Sequence, residues 1–176
     1  MRHILKCPHG SAAAEMALVT PLLLTLIFGS FELGNYFLDN HVVSKAVRDG
    51  ARYASRQSLT NYPCTAVATD IAPGGNVVSS TQNLVRTGQV ASGGTARLVG
   101  WTDPATILVT YSCIAASSVT PSYTGIYKGS SFVPVVTVQI NQNTPRLLYS
   151  SLFGAMGFNA TSLYLTGKSQ ASVTGI

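Results

Sequence analysis

Residues 11–31, SAAAEMALVTPLLLTLIFGSF, hold a single charge, Glu15, among apolar, small and hydroxyl side chains. As a helix rising ~1.5 Å per residue they cover about 31 Å, which matches a bilayer core of about 30 Å. A secretory signal carries an apolar core of only about 7–15 residues followed by a small-residue cut site. Here the run passes into a second helical pattern, and Gly29-Ser30 is a weak cut site. The stretch therefore predicts a membrane span. Pro21 removes one backbone hydrogen bond inside it and predicts a bend, which membrane helices tolerate. Glu15 costs about 3 kcal/mol in hydrocarbon on insertion scales, so it either has a partner and a task or snorkels to the headgroups near the helix end. Ala13 with Ala17, and Ser30 with Gly34, are small pairs four apart, a spacing that permits close helix approach but is common by chance.

Outward from the span, residues 36–58 contain no proline. At about 100° per residue Val43, Ala46, Val47, Gly50, Ala51 and Ala54 share one side, which predicts an amphipathic continuation of the same helix over 36–60. Lys45, Arg48, Arg52 and Arg56 fall on the opposite side, with Asp49 spaced to offset Lys45 and Arg52. This basic stripe is read as a solvated face, or else as one that meets acidic neighbours or lipid headgroups. Four basic residues after the span pull against a cytoplasmic N-terminus under the positive-inside rule, since only Arg2 and Lys6 precede it. The leader and the cysteine pattern favour the N-terminus inside.

The 176 residues leave room for one modest domain beyond the helix. Hydrophobic residues make up 46% and charged residues 10%, and the net charge of +5 is concentrated between Lys45 and Arg56. Beyond Gln57 the charges are sparse, so no broad basic surface for nucleic acid is implied. Cys7 precedes the span while Cys64 and Cys113 follow it, and the latter two can reach an oxidising compartment. They are either bridged, which would staple a sparse core, or left as two buried thiols.

In the region 61–176, Asn61-Tyr62-Pro63 ends the long helix, and Pro73-Gly74-Gly75-Asn76 marks a turn before a short helix at 77–89. Segments 106–114 and 133–140 read as strands, 147–156 as a short helix and 160–173 as a final strand. A Ser-, Gly- and Tyr-rich loop lies between the first two strands. The fold class is α+β, one long helix on a small antiparallel sheet with one or two short helices.

Catalysis lacks its parts. His3 and His9 belong to the leader and His41 to the membrane-proximal helix, so the globular region has no histidine, and it has no glutamate. Asp70 and Asp103 sit beside turn residues where capping roles fit. Neither a phosphate-binding glycine pattern nor a metal-ligand set appears, and no cofactor is implied. The chain is read as a non-enzyme.

Gly10-Ser11-Ala12-Ala13-Ala14-Glu15 places a glutamate five residues after a glycine, behind a short basic leader and ahead of an apolar run. This resembles the processing site of type IV prepilins, in which a membrane peptidase cuts after the glycine. Glu15-Met16-Ala17-Leu18, Pro21-Leu22-Leu23-Leu24, Glu32-Leu33-Gly34 and Gly50-Ala51-Arg52-Tyr53-Ala54 together are similar to the TadE-like family, pseudopilins of the tight adherence (Tad, Flp-type) pilus machinery. Met16 departs from the tyrosine that often follows the glutamate in processed members.

The resemblance implies a pilin-like fold, with residues 1–10 as leader and 11–35 as the membrane and assembly helix. It also implies a single-pass protein of the bacterial inner membrane with a periplasmic domain. Cleavage would fall between Gly10 and Ser11, and Glu15 would pair with the new amine of a neighbouring subunit. Implied partners are the prepilin peptidase, other pilins or pseudopilins and the Tad machinery, with surface adhesion as the family's role. The competing reading is a permanently anchored binding or adhesion module that captures a ligand through the loop containing Tyr123 and Tyr127.

Overall fold

Both helical patterns belong to one uninterrupted element, α1 (Pro8–Ser55), which runs through Pro21 without a break. The computed structural model describes residues 8–118, 125–154 and 162–175. Most of the expected leader, residues 1–7 including Cys7, lies outside them. After α1 come β1 (Ala68–Ile71), α2 (Val77–Thr87), β2 (Ile107–Ala115), β3 (Phe132–Ile140) and β4 (Lys168–Ser172). The four strands form an antiparallel sheet in the order β1-β2-β3-β4.

Alternation along β2 and β3 decides what the sheet shows to α1. Ile107, Val109 and Tyr111 lie opposite Ile140, Val138 and Val136. All six are buried in one core with Val43, Ala46, Val47, Ala51 and Ala54 of α1. The predicted apolar face of the helix is thus the face that packs, and Val85 of α2 and Trp101 complete the core.

The helix stops at Ser55 rather than near residue 60, because its last carbonyls find acceptor roles elsewhere. The Tyr62 hydroxyl donates to Ala54 O at 2.5 Å, and the Thr174 N–H donates to Ser55 O at 2.7 Å. Arg56 N and Gln57 N close tighter turns onto Tyr53 O and Ala54 O. Burial pushes the Tyr62 phenol well above its ordinary range, with Tyr53 adding to the shift, so the hydroxyl stays a donor.

Other expectations need correction. Segment 147–156 forms no helix over 147–151, where Leu148 bridges Tyr164, Tyr149 N donates to Leu163 O and Leu165 N donates to Leu147 O, both at 2.9 Å. Only Gly154 of its described part has 3-10 character, after a turn at Leu152–Phe153. Residues 155–156 lie outside the description. The final strand is confined to β4, and residues 160–161 also lie outside. Strand β1 has no counterpart in the sequence reading; it is short and carries Asp70 at φ 57°. Asp49 forms its ion pair with Arg97, at 3.6 Å, rather than along the helix with Lys45 or Arg52.

Cys64 and Cys113 are bridged. The bond ties the segment entering β1 to β2 across a sequence separation of 49. Closing a loop of that length contributes about 4 kcal/mol in the chain-entropy model. Replacing both cysteines by serine is expected to lower the melting temperature of the detergent-solubilised protein clearly, and mild reductant should do the same to the wild type. Equal melting with and without the bridge would show that the core holds β1 unaided.

Candidate assembly helix

Along α1, most of the residues that the sequence assigns to a membrane are exposed, the contacts with the domain being confined to its upper end at Phe28, Glu32 and Asn35. Met16 is 67% exposed, Leu18 80% and Leu22 61%, and Leu23 and Leu24 are likewise exposed. This is the one helix among the described residues that is long and apolar enough to cross a bilayer, and none of its most apolar stretch is buried. The polar side chains between Glu15 and Glu32 are Thr20, Thr25 and Ser30. Each hydroxyl donates back to its own helix, to Met16 O at 2.6 Å, Leu22 O at 2.8 Å and Ile27 O at 2.8 Å. In hydrocarbon an unsatisfied hydroxyl is costly, so these bonds suit the stretch to lipid. Glu15 and Ala17 lie on the same exposed stretch. Gly10 and Ser11 fall in the first turns of α1, where Pro8 is the opening residue and its missing N–H costs nothing.

The far end of the helix is built for close approach. A Cβ on Gly50 would meet Val85 Cγ2 at 2.4 Å and Thr81 Cγ2 at 3.3 Å, so the absence of a side chain lets α2 lie directly on α1. Ala51 and Ala54 continue that face. Arg52 points to solvent with Lys45, Arg48 and Arg56, while Tyr53 is half-buried and its carbonyl accepts from Arg56 N and Gln57 Nε2.

Between the two ends, a hairpin from the domain straps the helix. Tyr149 donates to Glu32 O at 3.3 Å and accepts from Asn35 Nδ2 at 2.8 Å. The Tyr36 ring meets the Tyr149 ring edge-on at 5.4 Å, its hydroxyl donates to Tyr164 O at 3.4 Å, and Asn40 Oδ1 accepts from Thr166 N at 3.3 Å. Burial pushes the Tyr149 phenol up; the Asn35 bond opposes this, and the neighbouring Glu32 and Asp39 charges reinforce it. Both Glu32 carboxylate oxygens are shielded from solvent.

Asn35, Tyr36, Asn40, Tyr149 and Tyr164 were not singled out in the sequence. The available signal was the clustering of tyrosines and amides just past the apolar run, where amphipathic rings mark an interface. Of the loop tyrosines, Tyr127 is buried, with its hydroxyl donating to Val173 O, and so is not an exposed contact residue. Tyr123 lies outside the described residues.

A cleft of about 690 Å³ opens on the domain beside Trp101, Asp103, Thr106, Arg146, Leu148 and Tyr149. Its carboxylate, Asp103, caps a short turn by accepting from Ala105 N at 2.8 Å. No group of three or more His, Cys, Asp or Glu that could hold a metal occurs among the described residues.

Residues 10–52 match the TadE-like protein family. No curated protein and no solved structure gives a match. The TadE-like segment lies wholly within α1, from its first turns to Arg52, and stops short of the sheet. What the similarity supports therefore attaches to the helix: a Tad pilus-associated component with an N-terminal helix, of a structural rather than an enzymatic family.

Gly50 gives a direct test of the packing half of this helix. Gly50→Ala gains about 1 kcal/mol of helix propensity but forces Val85 and Thr81 aside, an overpacking cost of roughly 1–3 kcal/mol. The expected outcome is a lower melting temperature in detergent with unchanged membrane insertion. An unaltered melt would mean that α2 can yield without loss.

Proposed function

We propose that this protein is a pseudopilin or minor pilin of a Tad-type pilus, inserted in the bacterial inner membrane by α1 with its sheet domain on the periplasmic side. The observation that carries the reading is the division of one TadE-like helix into an apolar half that is left largely exposed and a small-residue half packed on a domain. Such a helix presents the same lipid-compatible surface to a bilayer and to other apolar helices. A subunit can then exchange one for the other with little change in what its side chains touch.

Cleavage after Gly10 by a prepilin peptidase would create an ammonium on Ser11, close in sequence to Glu15. In an apolar setting a carboxylate and an ammonium each lower the cost of burying the other. Glu15 is assigned to pair with that amine on a neighbouring subunit. The permanently anchored binding module is the competing outcome, and burial of Tyr127 weakens the loop on which it relied.

Intact mass of the protein from cells that make the pilus peptidase separates the two. A chain beginning at Ser11 is expected; a chain still carrying Met1 would favour the permanent anchor. Glu15→Ala is expected to abolish filament assembly while leaving membrane insertion intact, and normal piliation in that variant would remove the pairing role.

A further inference from the structure

The strap formed by residues 147–154 and 162–166 does more than hold the helix, because at Phe153 it reaches below the level where the apolar run ends. Phe153 meets Phe28 edge-on, with ring centroids 5.2 Å apart. Phe28 precedes Tyr36 by about eight residues, so at ~1.5 Å per residue this contact lies about 12 Å farther down the helix axis, toward the span. The domain thus touches α1 inside the stretch that is suited to lipid.

The chemistry of the strap fits that depth. No charged residue occurs in the sequence between Arg146 and Lys168. Leu148 is 52% exposed and Leu152 56%, and Leu163 is exposed too. Phe31 of α1, between Phe28 and Tyr36, also faces outward. Farther up α1 than the Phe28–Phe153 contact sits a group of amphipathic side chains, Tyr36, Tyr149 and Tyr164, with the Arg146 guanidinium 4.9 Å from the centre of the Tyr164 ring. Tyrosines and basic residues above an apolar edge are the arrangement that settles at a membrane–water boundary. The mutual backbone bonds at Leu147, Tyr149, Leu163 and Leu165 leave less polar backbone to be desolvated there.

We infer that the strap is a second membrane contact: Leu152 and Phe153, with Leu148 and Leu163, enter the headgroup–acyl boundary of the leaflet on the domain's side. Arg146, over the Tyr164 ring, flanks it on the side of the anionic headgroups. The partner is a lipid surface, and the assignment rests on the reading that α1 spans the bilayer. One consequence concerns Glu32: the strap shields its carboxylate at the edge of the lipid-suited stretch.

Site-specific fluorescence quenching on the full chain tests this. In a Cys7→Ser background that keeps the Cys64–Cys113 bridge, Leu152→Cys, Leu23→Cys and Val67→Cys are each labelled with an environment-sensitive dye. The proteins are reconstituted in phosphatidylcholine–phosphatidylglycerol vesicles carrying nitroxide lipids labelled at shallow or deep positions, and aqueous iodide serves as a third quencher. Leu152 and Val67 are exposed, so neither change disturbs the core. The expected result is blue-shifted emission at position 152, quenched more by the shallow lipid label than by the deep one. Position 23 should respond mainly to the deep label and position 67 to iodide alone.

If position 23 is quenched by lipid while position 152 behaves like 67, the helix spans but the second contact does not exist. Protection of position 152 from all three quenchers overturns the proposal as well, since a protein surface, such as a second copy, then covers the strap. Loss of lipid quenching at position 23 would sink the spanning reading and this inference together.

Discussion

One unbroken helix has to satisfy two solvents, and the rest of the structure follows from how its side chains divide between them. Helical backbone bonds close within the segment, so α1 can stand in lipid without help from other elements. What changes along its length is only the side-chain layer. In the stretch from Met16 to Phe31 that layer is apolar on all sides, with its three hydroxyls bonded inward. From Val43 onward it splits into a buried face of small residues and an exposed face of basic ones. A helix apolar all round must be surrounded, whereas one with a single apolar face needs just one neighbour.

The domain is that neighbour, and it grips α1 at three levels. At the C-terminal end, Tyr62 and Thr174 accept the task of satisfying Ala54 and Ser55 carbonyls. In the middle, Gly50 admits α2 and the alanines admit the sheet. Near residues 28–40, the strap adds aromatic contacts and hydrogen bonds to Asn35, Asn40 and the Glu32 carbonyl. These grips draw on segments spread from Tyr62 to Thr174, so the helix and the sheet form one cooperative unit. The Cys64–Cys113 bridge anchors the edge strand β1, which has the least other support.

Much of this was legible because it depends on local period. The apolar run, the buried face from Val43 to Ala54, α2 and the two central strands all come from residue spacing that a short window contains. The disulfide could be anticipated as a choice between two states, since cysteine position relative to a span constrains compartment and not distance. The remainder depends on partners far away in sequence. Ending α1 at Ser55 requires Thr174; Asp49 finds Arg97 because α2 and the turn after it fold back over α1. Segment 147–156 reads as a short helix, yet around Leu148 the pairing with Tyr164 makes it extended, a tertiary contact overriding local preference. In the candidate helix, the lipid-facing residues were plain from composition, whereas the tyrosine and asparagine contacts of the strap emerge only once the domain is folded against it.

Two contacts with a membrane, if the strap enters it, restrict the motion of the domain more than a helix alone would. A single spanning helix leaves its domain free to tilt and rotate about the anchor, whereas a second apolar contact on one side fixes which face of the sheet looks away from the lipid. That matters for the proposed assembly, because subunits already sharing one orientation lose less rotational freedom on meeting. Release from the bilayer would then require Leu152 and Phe153 to leave the interface along with the span. Leaving is unfavourable unless another apolar surface receives them. A neighbouring α1, apolar on every side from Met16 to Phe31, is such a surface, so the same side chains that orient the domain in lipid are suited to contact the next helix in an assembly.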